Sequence, residues 1–254
     1  MHPILIDTPY IVIPTYLFLI SLSYCIGVVW VSKRARDREM DYKLSLDIAL
    51  AFMFGSLLGA RLLHVVYERP DIYLADPVRV FEIWKGGFVF YGGAILSTLF
   101  CFLLIRKRGA DFLTWADLYT PVFPLGYGLG RLGCFFAGCC FGRECDLPWA
   151  VHFPEGVEAP AHVGLHPTQL YAAFFEWAVF AFILYLERRR PSKGVLFFTW
   201  LTFHGIGRVM MEYFRADFRG ASPLGLSVST WISLGVIAFG LAGLAKVRAR
   251  APAR

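Results

Sequence analysis

The sequence predicts an all-α, polytopic integral membrane protein with about seven transmembrane helices, and three observations carry that prediction. Apolar residues fill 57% of the 254 positions and charged residues 17%, against about 45–50% and about 25% in an average soluble domain. The mean hydropathy is +0.55. The apolar residues are gathered into runs long enough to cross a bilayer, which takes about 20 helical residues. Short basic clusters separate alternate runs. These numbers exclude intrinsic disorder, coiled coil, collagen and a small disulfide scaffold. A net charge of +6 does not point to nucleic acid, because the basic residues sit between apolar runs.

The elements follow in order. Residues 10–32 carry no charge and predict the first span. No basic n-region or A-x-A site marks it as a cleaved signal peptide, so it is expected to be retained. Further spans are expected at about 47–67, 86–105, 115–135, 167–186, 194–214 and 222–245. Lys33, Arg34, Arg36, Arg38 and Lys43 follow the first span, and Arg106, Lys107 and Arg108 the third. Arg188, Arg189, Arg190 and Lys193 follow the fifth, and Lys246, Arg248, Arg250 and Arg254 the seventh. Sixteen of the 25 Lys and Arg thus fall on one side of a seven-span chain. The positive-inside rule makes that side cytoplasmic, with the N-terminus outside and the C-terminus in the cytoplasm. Trp84 and Trp149 fall near the outer interface, where amphipathic rings settle.

The fourth run is unlike the others. Pro121, Pro124, Gly126, Gly128, Gly130, Gly133 and Gly138 predict a broken or buried segment lining a cavity. Residues 1–254 read as a single transmembrane domain, without an internal repeat. The longest external loop spans about 143–166, where Pro148, Pro154, Pro160 and Pro167 keep the chain irregular.

On this topology several costly side chains reach one depth in the outer half. Arg61 lies two-thirds along an outward-running span, and Arg131 near the outer end of span four. Arg208 and Glu212 are one helical turn apart near the outer end of span six, with Arg215 on nearly the same face. Tyr91 begins span three. An ionisable residue in hydrocarbon costs at least about 2.5–3.5 kcal/mol and is a functional candidate. Arg208 with Glu212 can also be a plain ion pair, and Arg61 and Arg131 can snorkel to headgroups. Three arginines with one nearby carboxylate leave excess positive charge. A lipid phosphate, which arginine grips at two points, is the expected anion. Glu176, in mid-span five, reads as a structural partner or a proton relay, and His64 and His204 as hydrogen-bonded core groups.

Five ordered motifs carry a resemblance over residues 10–246. They are Gly59-Ala60-Arg61; Gly86-Gly87 with Tyr91-Gly92-Gly93; Gly130-Arg131-Leu132-Gly133 followed by Cys134, Phe135 and Gly138; His166-Pro167-Thr168-Gln169-Leu170-Tyr171; and Gly207-Arg208 through Glu212-Tyr213-Phe214-Arg215. The chain resembles the bacterial prolipoprotein diacylglyceryl transferases, in a branch with a Gly-Cys…Gly-Cys-Cys signature. The resemblance implies an inner-membrane enzyme whose active site opens toward the outer leaflet. Such an enzyme transfers the diacylglyceryl group of phosphatidylglycerol to the lipobox cysteine of a preprolipoprotein and releases glycerol 1-phosphate, with no cofactor. It implies catalytic roles for Arg131, Arg208, Tyr91 and Glu212. Substrate contacts are implied for Arg131, Arg61, Arg215, Tyr16, Gly92, Gly93, His166, Gln169, Tyr171 and Glu176. The expected partners are phosphatidylglycerol, preprolipoprotein signal peptides and the bilayer, and no nucleic acid.

The chain departs from the family pattern at named positions. Tyr91 stands where a His usually precedes Gly-Gly, Cys134 where Asn is usual, Cys139 where Glu is usual, and Ala172 where Glu follows Gln-Leu-Tyr. Cys134, Cys139, Cys140 and Cys145 are spaced C-x4-C-C-x4-C, unlike the C-x2-C pairs of zinc sites, so no metal is expected. An external disulfide or simple packing remains open for them. A divergent member with an altered acceptor or weak activity, and an anion- or lipid-binding transporter, are the other readings that the residues leave open.

Overall fold

The computed structural model describes residues 2–215 and 225–249. Arg250 and Arg254 of the last basic cluster, and residues 222–224 of the seventh expected span, lie outside the described residues. In chain order there is a hairpin, β1 (Ile4–Asp7) and β2 (Val12–Pro14). Helices follow: α1 (Thr15–Asp37), α2 (Tyr42–Leu63), α3 (Pro70–Ala75), α4 (Phe90–Lys107), α5 (Phe112–Tyr119), α6 (Val122–Ala137), α7 (Thr168–Arg188), α8 (Val195–Phe214) and α9 (Val228–Ala249). Among the described residues five helices are long and apolar enough to cross a membrane: α1, α2 with its continuation to Glu68, α4, α7 and α9. The shorter α6 is also apolar. The 20-residue α8 is not among the five; His204, Arg208 and Glu212 dilute its apolar surface. The protein is a helical membrane protein, and large apolar side chains such as Val29, Phe54, Ile95, Phe174 and Phe239 stay exposed on its helices, as lipid-facing surfaces do.

The first expected span needs correction. Residues 12–14 pair with residues 4–7 in an antiparallel hairpin rather than starting a helix, with Ile6 opposite Ile13 and Asp7 opposite Val12. Ile11, Val12 and Ile13 are β-branched and favour extended backbone. The Thr8 hydroxyl closes the turn on Ile11 O at 2.9 Å. The helix begins at Thr15, whose hydroxyl donates to His2 O, and runs on through the basic cluster to Asp37. Small as it is, the hairpin makes the fold not strictly all-α.

Two compact units divide the chain, one of residues 28–115 and one of residues 1–27 with 116–254. In the first, α2 packs along α4. Asp41 caps α2, its carboxylate accepting from Lys43 N at 2.9 Å and Leu44 N at 3.3 Å. The helices meet through small residues, the usual device where lipid offers no hydrophobic drive. A Cβ on Gly55 would lie 2.6 Å from Ser97 Cα, and one on Gly93 2.8 Å from Ser56 O. Gly59 and Gly92 face each other's carbonyls.

In the second unit the expected fourth span is broken, as its prolines require. Helix α5 ends at Tyr119, Pro121 interrupts the backbone ladder, and α6 restarts at Val122. Gly128 gives room to the Trp177 indole of α7. Helix α8 packs on α9 with Gly205 against Ser233 O and Gly240 against Phe198 O, each Cβ distance being 3.1 Å. The start of α8 is held by α5, where Asp117 accepts from Gly194 N at 2.6 Å and Phe197 N at 2.9 Å.

The expected irregular loop is a small cap with its own core. Phe153, Ala159 and Leu165 are buried together, with Phe135, Phe141, Val151, Val157 and Val163 against them. Single bridges join Glu144 and Val151 to Leu165, and Gly142 to Arg215. Prolines prevent a regular sheet there without preventing packing.

Candidate active site

Helices α6, α7 and α8 bring most of the expected site residues together. Arg131, on the last turns of α6, donates from Nη2 to the Tyr127 hydroxyl at 2.6 Å, with its guanidinium 4.8 Å from the Tyr127 ring centroid. Tyr127 presents its ring edge-on to His204 of α8, centroids 5.0 Å apart. His204 Nδ1 meets Glu176 Oε1 of α7 at 2.5 Å. Glu176 is 2% exposed, and its Oε2 has no hydrogen-bond partner among the described residues. Arg208, one turn beyond His204, pairs with Glu212 at 2.8 Å. A narrow cavity is lined by Tyr127, Ala172, Phe175, Glu176, Gly207, Arg208 and Met211.

One wall follows from a close approach. A side chain at Gly207 would enter the Phe175 ring, so α7 and α8 touch there and leave Arg208 and Glu176 facing one cavity. Ala172 contributes only a methyl group to that lining. A roomier hollow of about 410 Å³ in residues 28–115, lined by Met40, Asp41, Leu44, Arg108, Gly109, Ala110 and Trp115, holds one arginine, and that arginine already pairs with Asp47 at 2.6 Å. It lacks the groups that the chemistry needs.

The motif around His166 organises the outer rim of the α6–α7–α8 group. Tyr171 OH accepts from Trp149 Nε1 at 2.7 Å and lies 3.2 Å from His166 Nδ1. Gln169 Nε2 donates to Cys139 O at 2.7 Å, and Thr168 Oγ1 to Cys140 O at 2.9 Å. Of these, His166, Gln169 and Tyr171 were expected to touch substrate; Gln169 and Thr168 fasten the segment after α6 to the start of α7. Gln169 keeps a buried Oε1 without a partner among the described residues. Arg215 ends α8 and forms a backbone bridge with Gly142. Tyr16, on the first turn of α1, packs on Gly133 of α6, where a Cβ would lie 3.0 Å from its ring.

The thiols of Cys134, Cys139 and Cys140 all lie within 4.8 Å of one another. No disulfide joins any cysteine. Hydrogen bonds from the Cys134 and Cys139 thiols hold Cys140 well below the ordinary thiol range, and the charges of Arg131 and Arg215 act in the same direction.

Arg61, Tyr91, Gly92 and Gly93 belong to the unit of residues 28–115. Arg61 is 7% exposed. Its Nε donates to Val80 O at 3.1 Å, Nη2 to Arg79 O at 2.6 Å and Glu82 O at 3.3 Å, and Nη1 to Gly87 O at 3.2 Å and to Gly86 O. It also stacks on Tyr73 at 5.3 Å. Arg61, expected to contact substrate, ties the 79–87 segment to α2, because that segment turns its carbonyls toward the guanidinium. Gly92 and Gly93 are buried in the α2–α4 contact, so their smallness serves helix packing. Tyr91 is the second residue of α4, half-buried beside Phe90.

Tyr127 was not singled out from sequence, and His204 only as a hydrogen-bonded core group. Tyr127 stands one turn before Arg131, a spacing that puts both on one face, and that was the available signal. His204 stands one turn before Arg208 in the same way, yet its pairing with Glu176 crosses helices and has no signature in sequence.

The family model for prolipoprotein diacylglyceryl transferase matches residues 3–246. A phosphatidylglycerol–prolipoprotein diacylglyceryl transferase of Clostridium tetani is 33% identical over 241 residues, covering 95% of this chain and 96% of that protein. One of Bordetella avium is 34% identical over 229 residues, 89% and 85% of the two chains. One of Geobacter sulfurreducens is 36% identical over 202 residues, 77% and 76%. With a family match that spans residues 3–246 and a relative covered over nearly its whole length, the chain belongs to the prolipoprotein diacylglyceryl transferase family.

Proposed function

We propose that this enzyme transfers the diacylglyceryl group of phosphatidylglycerol to the lipobox cysteine of preprolipoproteins at the outer leaflet of the bacterial cytoplasmic membrane. The carrying observation is the convergence of α6, α7 and α8: Arg208 and Glu176 on one cavity, with Arg131 held beside it by Tyr127. The lipobox thiolate attacks the glycerol carbon that bears the phosphate. The carbon–sulfur bond forms as the carbon–oxygen bond breaks, and glycerol 1-phosphate leaves with the electron pair. Negative charge therefore grows on the departing phosphate. Fixed guanidinium donors in a water-poor cavity stabilise such charge strongly, because they are already oriented when it develops. Arginine also matches phosphate at two points, which lysine does not. No cofactor enters this scheme.

Tyr91 orients substrate or passes the thiol proton through its hydroxyl. A phenol is a weak base at neutral pH, so the arginines carry more of the catalysis. Glu212 holds Arg208 in its rotamer through the 2.8 Å pair. Arg61 contributes by holding the 79–87 segment. His166, Gln169 and Tyr171 shape the rim where the signal peptide arrives.

The orientation completes the reading. Seven spans with the N-terminus outside rest on the basic clusters at the ends of α1, α4, α7 and α9. In that arrangement the His166 rim and the cap of residues 142–166 face outward, toward the secreted acceptor. A cysteine probe at Lys193 is expected to be labelled only from the cytoplasm; labelling from outside overturns the orientation. Complementation of a transferase-depleted bacterium, scored by lipidation of a reporter lipoprotein, tests the activity, and an unlipidated reporter in cells that make the folded protein overturns it.

A further inference from the structure

The linear spacing of the cysteines argued against a metal, but the fold supplies what the spacing lacks. Gly138 ends α6 in the left-handed region, φ 70°, and Cys140 follows at φ 60°, a conformation that a residue with a side chain rarely adopts. Two such bends within three residues turn the chain back on the last turn of α6. Cys139 and Cys140 are thereby brought beside Cys134. The bend is then pinned from outside: Gln169 and Thr168 bond the carbonyls of Cys139 and Cys140, and Cys139 N bonds Cys134 O at 3.1 Å. The three sulfurs are held in place by the backbone, not merely near one another in sequence.

From this geometry we infer that Cys134, Cys139 and Cys140 form a three-thiolate site for a soft d10 metal ion, zinc first among them. Three sulfurs each about 2.3 Å from one ion lie roughly 3.8–4.0 Å apart, and the three thiols here lie within 4.8 Å of one another. Binding therefore needs rotations of the side chains and no rebuilding of the backbone. Charge fits as well. Three thiolates around a divalent cation leave one net negative charge, and Arg131 stands one helical turn before Cys134 on α6. A disulfide would use two of the thiols and leave the convergence of the third without a purpose, whereas a metal uses all three. Cys145 lies in the cap, with its amide on Gly164 O at 2.9 Å, and is not one of the ligands. The ion would clamp the last turn of α6 to the segment that follows it, which Gln169 and Thr168 already tie to the start of α7.

The test reads metal occupancy, which does not depend on lipid transfer. Detergent-solubilised protein, reduced and washed with chelator under inert gas, is titrated with Zn²⁺ and, for an optical signal, with Cd²⁺, whose thiolate complexes absorb in the ultraviolet. The expected result is one ion per chain, with a rise in unfolding temperature that grows with free ion concentration. Cys134→Ser, Cys139→Ser and Cys140→Ser should each abolish uptake, and Cys145→Ser should retain it. Should a serine variant fail to fold, maleimide labelling of the unaltered protein with and without Zn²⁺ answers the same question: protection of Cys134, Cys139 and Cys140 but not Cys145 supports the site. No uptake at one equivalent, uptake that survives the loss of one of the three thiols, or protection of any other set overturns it.

Discussion

The two units of this protein bury arginine in opposite ways. In residues 28–115, Arg61 is wrapped by backbone: carbonyls of Arg79, Val80, Glu82, Gly86 and Gly87 take its donors, and Tyr73 covers its face. In the α6–α7–α8 group, Arg131 reaches a tyrosine hydroxyl and Arg208 a carboxylate, both side chains, beside a cavity. The first arrangement is a finished hydrogen-bond set whose removal would strand several carbonyls. The second rests on a side-chain partner for each guanidinium, Tyr127 for Arg131 and Glu212 for Arg208. Two other charge pairs of residues 28–115 differ again: Arg79–Asp76 and Lys85–Glu82 pair at the surface over three residues. Burial of a charge thus does not by itself mark a catalytic group; the chemistry of its partners does.

Lysine substitutions break or sharpen this contrast. Arg131→Lys and Arg208→Lys should keep the fold and each lower diacylglyceryl transfer by about a hundredfold or more, since one preorganised donor to developing oxyanion charge is worth roughly 2.7–4 kcal/mol. Transfer from labelled phosphatidylglycerol to a lipobox peptide measures this, and near-normal rates in both variants would remove them from the leaving phosphate. Arg61→Lys should do the reverse. An ammonium cannot serve carbonyls spread over residues 79–87, so the unfolding transition should fall by on the order of 3 kcal/mol, while transfer per folded molecule stays within a fewfold of normal. A turnover loss as deep as that of Arg131→Lys, at unchanged stability, would make Arg61 a phosphate ligand after all.

A smaller effect is expected at Tyr91. Tyr91→Phe should slow transfer by about tenfold, the worth of one hydrogen bond, and Tyr91→His should keep substantial activity because both groups can bond the same atom. The pH–rate profile between about pH 6 and 9 is the discriminating readout. If Tyr91→Phe leaves rate and profile unchanged, the proton passes to Glu212, Glu176 or His204. The 2.5 Å pair of His204 with Glu176 then becomes the first to mutate. Smallest of all, Lys85→Ala should shift stability by less than about 1 kcal/mol, because its pair with Glu82 is exposed.

Much of this organisation is legible in the chain, for reasons that differ by residue. Hydropathy locates the membrane helices because bilayer thickness imposes a length, and Pro121 announces the break between α5 and α6 because it lacks an amide proton. Arg131 and Arg208 stand out by the cost of their placement. Arg61 stands out equally by that measure, yet its partners are main-chain carbonyls, which every sequence has and no sequence displays. The cysteines stand out in the chain, but the convergence of three of their thiols does not, because two left-handed residues build it and only one of them is glycine. The hairpin of residues 4–14 escapes notice because an uncharged β-branched run ahead of a span looks like part of that span.

Asp117 carries a consequence for biogenesis. Its carboxylate on α5 is 9% exposed, and two of the amides that it accepts from, Gly194 and Phe197, lie 77 and 80 residues further along the chain. During synthesis α5 and α6 leave the ribosome well before those donors exist, so an acid destined for the interior must wait for a helix not yet translated. The α5–α6 segment is also short and broken, a weak signal for immediate release into lipid. Together these features favour late integration, in which the broken segment stays within reach of water or the insertion machinery until α8 has been made. Docking of the α8 N-terminus onto Asp117 is then the step that commits the catalytic helices to one arrangement.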